Sequence, residues 1–128
     1  LEFFASFDAH SQKYMNFEMN ANGAYLASVR TNKADKRMVA DLTAALPVVR
    51  AERGDGFWSV ETLFTEDFIR DCFDGCRLTC GGAFRGNFYK CGDETASPHF
   101  GCWSPIENPE PSFHLPAYFG EFRIEERV

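Results

Sequence analysis

The sequence lacks a cluster of basic residues, a long apolar run and the common catalytic motifs. Thirteen Lys and Arg residues against nineteen Asp and Glu residues give a net charge of −6, whereas nucleic-acid binding depends on a concentrated positive patch. The chain has no stretch of ~18 apolar residues that could span a membrane. The P-loop, nucleophile-elbow, GxGxxG and HExxH patterns do not occur either. We therefore expect no nucleic-acid partner, no membrane contact and no catalysis.

The cysteines form neither a disulfide framework nor a zinc ribbon. They lie at positions 72, 76, 80, 91 and 102. Their number is odd, and the paired C-x2-C spacing of zinc knuckles is missing. We expect free thiols, no metal site built from them and no cofactor. Together with the lack of a visible signal peptide, the odd count favours a cytosolic location.

The chain also lacks an initiating methionine and opens directly on the strand-like stretch LEFFASFD. We expect that sequence upstream of Leu1 is missing and that any secretion signal would lie there. What the chain does have is aromatic residues, which make up 16% of it and include fourteen Phe. With 45% hydrophobic residues over 128 positions, it is long enough for one domain with a substantial core.

The stretch YMNFEMNANGAY, residues 14–25, predicts a hairpin with a defined register. Met15, Phe17 and Met19 alternate with polar residues and share one face of a strand. A three-residue loop, Ala21–Gly23, brings them onto the same face as the apolar residues of the following strand, Tyr25, Ala27 and Val29. A two-residue Asn-Gly turn would put the two sets on opposite faces. We therefore expect Gly23 in the left-handed conformation of a bulged hairpin.

The remaining elements follow from periodicity and turn residues. Strands are expected at Leu1–Asp8, Val48–Glu52, Gly56–Phe64, Arg77–Cys80, Ala83–Cys91, His99–Ser104 and Phe119–Glu126, with one helical turn starting at Thr65. Asp35–Leu46 is either a short helix or, over part of its length, a strand. Pro105–Pro116 holds four of the six prolines and predicts a long loop. This pattern predicts an all-β antiparallel β-sandwich with at most one short helix, formed by a single domain over residues 1–128.

Four pieces of the chain carry a family resemblance. They are LEFFASFD leading to NFEMNANG, then WSVETLF, then FRGNFYKCGDE followed by CWSP, and finally SFHLPAYFGEFRI. In this order they resemble the family 9 carbohydrate-binding module, and the closing aromatic-His-x-Pro-x-x-Phe-Gly pattern is the most specific of them. The resemblance implies a two-sheet antiparallel sandwich, and it implies that the N-terminal strands of the domain are missing from this chain.

The same resemblance implies a set of ligand contacts. In sugar-binding members two tryptophans clamp a sugar ring, and a strand Glu, an Arg and a polar strand bind its hydroxyl groups. The strand Glu corresponds to Glu2, the Arg to Glu18 with its charge reversed, and one clamping Trp to Phe113. The polar strand corresponds to Asn87, Tyr89 and Cys91. The second clamping aromatic residue would lie upstream of Leu1.

The residue types themselves also fit a polyol site. A sugar needs a flat apolar surface and polar groups around its edge. The ligand-binding residues expected here are Glu2, Glu18, Asn87, Tyr89, Phe113, Arg85 and Trp103. Two neighbouring carboxylates, Glu2 and Glu18, would repel each other unless a cation or a proton intervenes; Arg85, Arg30 and a bound structural Ca²⁺ are the candidates for that cation.

Three functions remain open at this point. The first is a non-catalytic binding module for a saccharide or polyol. The second is a family-fold protein without sugar binding that acts through protein contacts or another ligand, in which case the polar face is an ordinary solvated surface. The third, a glycoside hydrolase, would need the two carboxylates close together in a cleft. The pattern predicts no particular oligomeric state.

Overall fold

A seven-stranded antiparallel sheet forms the body of the protein in this computed structural model, which describes residues 1–126. The strand order is β4-β3-β2-β1-β7-β8, and β9 pairs with β7 beside β8. The strands are β1 (Glu2–Ser6), β2 (Tyr14–Met19), β3 (Tyr25–Arg30), β4 (Lys36–Met38), β7 (Ala83–Gly92), β8 (His99–Cys102) and β9 (Gly120–Arg123). A separate two-stranded sheet consists of β5 (Val48–Arg53) and β6 (Trp58–Leu63). The predicted antiparallel β-sandwich is confirmed.

The β2–β3 hairpin has the predicted register. Met15 pairs with Val29 and Phe17 with Ala27, so the apolar residues of both strands share one face. Asn20 donates its backbone N–H to the carbonyl of Ala24 at 3.1 Å and so closes a three-residue loop. Gly23 has a φ of 77°, a conformation that glycine adopts without steric cost.

The first core lies on the face of the large sheet that carries Met15 and Phe17. It is covered by the β5–β6 hairpin and by one helix, α1 (Glu66–Cys72). Thr65 caps α1 by accepting a hydrogen bond from the Phe68 backbone N–H at 3.2 Å, which satisfies a donor that has no partner within the helix. The cap aims Phe68 and Ile69 into the core, and the predicted helical turn is confirmed.

A second core lies on the opposite face of the large sheet, under the proline-rich segment. It consists of four buried aromatic residues, Phe4, Tyr14, Tyr89 and Phe119, against which Ile106 and Phe113 pack. His114 joins this segment to the sheet through a 2.9 Å hydrogen bond between its Nδ1 and the Tyr14 hydroxyl. Burial, followed by the positive charges of Arg30 and Lys33, lowers the pKa of His114. Much of the face that alternation assigns to polar residues is therefore covered by protein.

The structure differs from the sequence-based expectation in two elements. Of the two alternatives for Asp35–Leu46, the helix is wrong and the strand over part of its length is confirmed, because Ser28 of β3 pairs with Met38 and draws Lys36–Met38 into the sheet as its edge strand β4. A short 3₁₀ helix, Val39–Asp41, follows and buries Val39 in the first core. Residues 77–80 are irregular rather than a strand. None of the described residues belongs to a helix with the length and apolar character that a membrane span requires.

Candidate functional site

Glu2 and Glu18 face each other across β1 and β2. The two residues are directly paired in the antiparallel ladder, a position that brings their Cβ atoms within about 5 Å. The pairing continues into the neighbouring strands, since Leu26 pairs with Glu18 and Tyr89 with Glu2. One continuous row of side chains therefore crosses the sheet, with the two carboxylates at its centre.

The row opens into a surface basin of about 430 Å³ at one end of the sheet. Ten residues line this basin: Leu1, Glu2, Glu18, Met19, Asn20, Ala24, Tyr25, Leu26, Cys91 and Asp93. Asp93 lies in the loop that follows β7 and accepts a hydrogen bond from the Cys91 thiol at 3.2 Å. Three carboxylates from three different segments thus surround one opening, which we call the carboxylate basin.

The surroundings favour a proton on Glu2. Burial and the facing Glu18 carboxylate raise the pKa of Glu2 from its ordinary value of 4.5 to about 7. The nearby N-terminal ammonium opposes this change, and Asp93 adds to it. Since desolvation and like charge both disfavour the ionised form, the pair can hold a proton near neutral pH or exchange it for a cation.

Glu18 is held in place by a buried amide. Asn16, which is fully buried, donates from its Nδ2 to Glu18 Oε1 at 3.1 Å. The Oδ1 atom of Asn16 accepts from Arg30 Nε at 3.0 Å. The amide thereby links the guanidinium of Arg30 in β3 to the carboxylate of Glu18 in β2 and holds one oxygen of that carboxylate in place.

The two arginines expected to neutralise the carboxylates form hydrogen bonds with other groups instead. Arg30 contacts Asn16 and the Lys33 carbonyl, the latter at 2.6 Å. Arg85 donates to the Phe119 carbonyl at 2.6 Å, two rows farther along the sheet. None of the ion pairs formed within residues 1–126 includes Glu2 or Glu18. In this part of the chain no group of three or more His, Cys, Asp or Glu side chains is arranged to hold a metal ion.

The structure places Asn87 and Tyr89 beneath the surface rather than on it. Asn87 has no exposed area, and its side chain is bonded to the backbone of Ser104 through both Oδ1 and Nδ2. Tyr89 is 2% exposed and stacks on Phe113 with ring centroids 4.3 Å apart. The expectation that these two side chains contact a ligand directly is therefore corrected: they support the proline-rich segment.

Aromatic rings flank the basin. Phe113 covers Tyr89, the cross-strand neighbour of Glu2. Phe100 of β8 pairs with Cys91, a basin residue, and is 51% exposed. The Phe100 and Phe113 rings meet edge to face at 6.1 Å. Phe113 thus lies over the cross-strand neighbour of Glu2, and Phe100 beside it provides an accessible apolar edge.

Arg85 and Trp103 lie away from the basin, contrary to expectation. Arg85 lines a cavity of about 580 Å³, which lies at the other end of the same sheet face. Trp103 lies on the opposite face of the sheet, where it packs on Phe122 with centroids 4.9 Å apart and remains 54% exposed. Strand pairing separates both side chains from Glu2, and sequence alternation alone cannot show this separation.

Sequence reasoning missed Asp93 and Phe100. Asp93 lies between the expected strands Ala83–Cys91 and His99–Ser104, and no local pattern connects this stretch with the N-terminal strand. The position of Phe100 could have been inferred, because its strand pairs with β7 in a register that places Phe100 opposite Cys91. Pairing the predicted strands with one another, rather than reading each one separately, would have found it.

Comparison with known proteins identifies the family. The sequence model of carbohydrate-binding family 9 matches residues 1–124. A solved structure of a candidate carbohydrate-binding protein from Bacteroides uniformis superimposes with a TM-score of 0.72 and 28% sequence identity. The match covers 97% of this chain and 60% of the other, so the chain spans less than two thirds of that relative. A search of curated proteins gives no match. With the family model matched over nearly its whole length, this chain belongs to carbohydrate-binding family 9.

Proposed function

We propose that this chain is a non-catalytic binding module whose carboxylate basin takes a saccharide or related polyol. The observation that supports this most is the cross-strand pair of Glu2 and Glu18 at an open basin beside exposed aromatic surface. Carboxylate oxygens accept hydrogen bonds from adjacent sugar hydroxyls, and the rings of Phe100 and Phe113 offer a surface to the C–H face of the sugar.

Binding is expected to be weak. The basin is open and shallow, with few exposed rings and a few hydrogen-bonding groups, and part of the interaction energy is spent on ordering the ligand. Dissociation constants of about 0.1–1 mM are consistent with such a site. The role of Asn87 and Tyr89 in this proposal is to hold Phe113 over the sheet, whereas Arg85 and Trp103 take no part.

The test is calorimetric titration with a panel of mono- and disaccharides, using the full chain and two matched phenylalanine variants. Phe100→Ala removes the exposed ring beside the basin. Phe57→Ala removes a ring that is 60% exposed in the β5–β6 loop. We expect saccharide affinity to fall about tenfold in the first variant and to stay within about twofold in the second. Lack of heat from every saccharide at millimolar concentration would contradict the proposal.

A hydrolytic role is tested separately. The facing carboxylates resemble the acid and base of a glycosidase in type, but we assign them to binding because the basin is a wide surface opening. Incubation with aryl glycosides is expected to release no chromophore above the level of the Glu2→Gln variant. Release that depends on Glu2 and Glu18 would replace the binding assignment with a catalytic one.

One observation favours the alternative of a protein-contact domain. On the other face of the sheet, Leu1, Phe88 and Trp103 line a shallow apolar depression, and about half of each side chain is exposed. A contiguous exposed apolar patch of this kind is typical of interaction surfaces. If Trp103→Ala changes the association behaviour of the chain while saccharides give no heat in any variant, this alternative replaces the saccharide proposal.

A further inference from the structure

The like-charge pair in the basin identifies a class of saccharide. We propose that the carboxylate basin selects a saccharide that carries a protonated amine, with the ammonium group lying between the carboxylates of Glu2 and Glu18. This inference rests on the proposed function, because it assigns a ligand class to the same site. It goes beyond that function because a site for hydroxyl groups alone would not require a positive charge.

The first step concerns the available cations. Arg30 is bonded to Asn16 and to the Lys33 carbonyl. Arg85 is bonded to the carbonyls of Ala117 and Phe119, just after the proline-rich segment. Neither of these arginines lines the basin, and no Lys or Arg is among its ten lining residues. Among the described residues, the two facing carboxylates therefore have no ion-pair partner of their own, although one oxygen of Glu18 accepts from the Asn16 amide.

The second step concerns the groups that face Glu2. These are Glu18 from β2, Asp93 from the loop after β7 and the N-terminal ammonium of Leu1. The Cys91 thiol lies beside Asp93 and donates to it. Apart from the chain terminus, every charged group that lines the basin is negative, so the repulsion is relieved by a proton on Glu2 or by a cation from solution.

The third step compares ligands. A neutral sugar hydroxyl can donate to a carboxylate but leaves the repulsion between Glu2 and Glu18 unchanged. An ammonium donates up to three hydrogen bonds and neutralises charge at the same time, and charge-assisted bonds are roughly twice as strong as neutral ones. Because the pKa of Glu2 is about 7, an arriving ammonium displaces the proton of Glu2 into solution at neutral pH.

The test is a calorimetric comparison of glucosamine, N-acetylglucosamine and glucose at pH 7 and low ionic strength. We expect glucosamine to bind about tenfold more tightly than either neutral sugar. The advantage should shrink at high salt because the carboxylates are partly exposed. Titration in two buffers of different ionisation enthalpy should show proton release with glucosamine and none with N-acetylglucosamine.

Two variants localise the effect. Glu18→Gln keeps the shape of the side chain and removes one charge, so the ratio of glucosamine to N-acetylglucosamine affinity should fall several-fold. Glu61→Gln removes an exposed carboxylate from the separate β5–β6 sheet and should leave this ratio as it is in the parent chain.

The outcomes separate the two proposals. Equal binding of glucosamine and its acetylated form overturns the amine inference and leaves saccharide binding in place. Lack of binding by all three sugars overturns both. Binding of ethanolamine as tight as that of glucosamine would mean that the ring contributes nothing, which contradicts the proposed function as well as the saccharide class inferred here.

Discussion

Asn87 joins the central strand β7 to the backbone of Ser104 by two hydrogen bonds. The Asn87 Nδ2 atom donates to the Ser104 carbonyl at 2.9 Å, and the Ser104 N–H donates to Asn87 Oδ1 at 2.7 Å. The side chain thus satisfies both backbone groups of a residue just beyond the end of β8. The proline-rich segment starts from this point and carries Ile106 and Phe113 over the second core.

Replacing Asn87 should therefore release the segment. Asn87→Ala leaves the donor and acceptor of Ser104 without partners in a partly buried site, and each unsatisfied group costs about 1–3 kcal/mol when it is buried. We expect a loss of about 2–4 kcal/mol in the free energy of unfolding, measured by urea denaturation. Asn108→Ala, an exposed change in the same segment, should cost less than about 0.5 kcal/mol. Equal losses in the free energy of unfolding for the two variants would show that the hydrogen bonds between Asn87 and Ser104 do not stabilise the fold.

The raised pKa of Glu2 predicts an unusual dependence of stability on pH. The folded chain binds the Glu2 proton up to about pH 7, whereas the unfolded chain releases it near the ordinary value of 4.5. Between these values the folded state holds more protons, so the contribution of Glu2 to stability falls as pH rises through this window and is fully lost above pH 7.

Glu2→Gln tests this directly, because glutamine cannot ionise. The free energy of unfolding of the variant minus that of the parent should rise from near zero at pH 4.5 to ~1–2 kcal/mol at pH 8, after allowance for solvent screening. Thermal or urea denaturation at several pH values measures the difference. In Glu61→Gln, the matched control, stability should change by less than about 0.5 kcal/mol at each pH. If the stability of Glu2→Gln relative to the parent fell as the pH rises, the raised pKa of Glu2 would be refuted.

Gly86 marks a close approach between β7 and β1. A Cβ atom at this position would lie 2.6 Å from the Phe4 carbonyl oxygen and 3.3 Å from the rings of Phe3 and Phe122. Because the first of these contacts is with backbone, a side chain there must displace the strand. We expect Gly86→Ala to lower the free energy of unfolding by about 1–3 kcal/mol, as measured by urea denaturation.

The matched glycine is Gly101 in β8. A Cβ atom there would meet only the Lys90 Cβ at 3.6 Å, which is an ordinary van der Waals contact. Gly101→Ala should therefore be tolerated within about 0.5 kcal/mol. If Gly86→Ala were tolerated equally well, the packing described between β7, β1 and β9 would be wrong.

Local pattern accounts for much of the fold. The alternation of Met15, Phe17 and Met19 predicted both the strand and its buried face, and the choice between two loop lengths predicted the register, because a shift by one residue would have reversed the faces. The helical turn that starts at Thr65 was also predicted from the local sequence. These features depend on neighbours within a few residues.

The site depended on longer-range contacts and was predicted less completely. Glu2 and Glu18 were expected on one face of adjacent strands, and their pairing is confirmed. The burial of Asn87 and Tyr89 was missed because it depends on a segment that lies about 15–30 residues farther along the chain and packs over them. Alternation tells which face a side chain occupies, but not what covers that face.

The central claim is that a saccharide binds at the carboxylate basin, and NMR titration of ¹⁵N-labelled protein tests it most directly. With glucosamine, or with another saccharide that binds in the calorimetric panel, we expect the largest amide shifts at Glu18, Asn20 and Asp93, which line the basin. The amides of Arg85 and Glu121, at the cavity on the other end of the same face, should shift little. Shifts centred on Arg85 and Glu121, or no shifts at saturating ligand, would contradict the account.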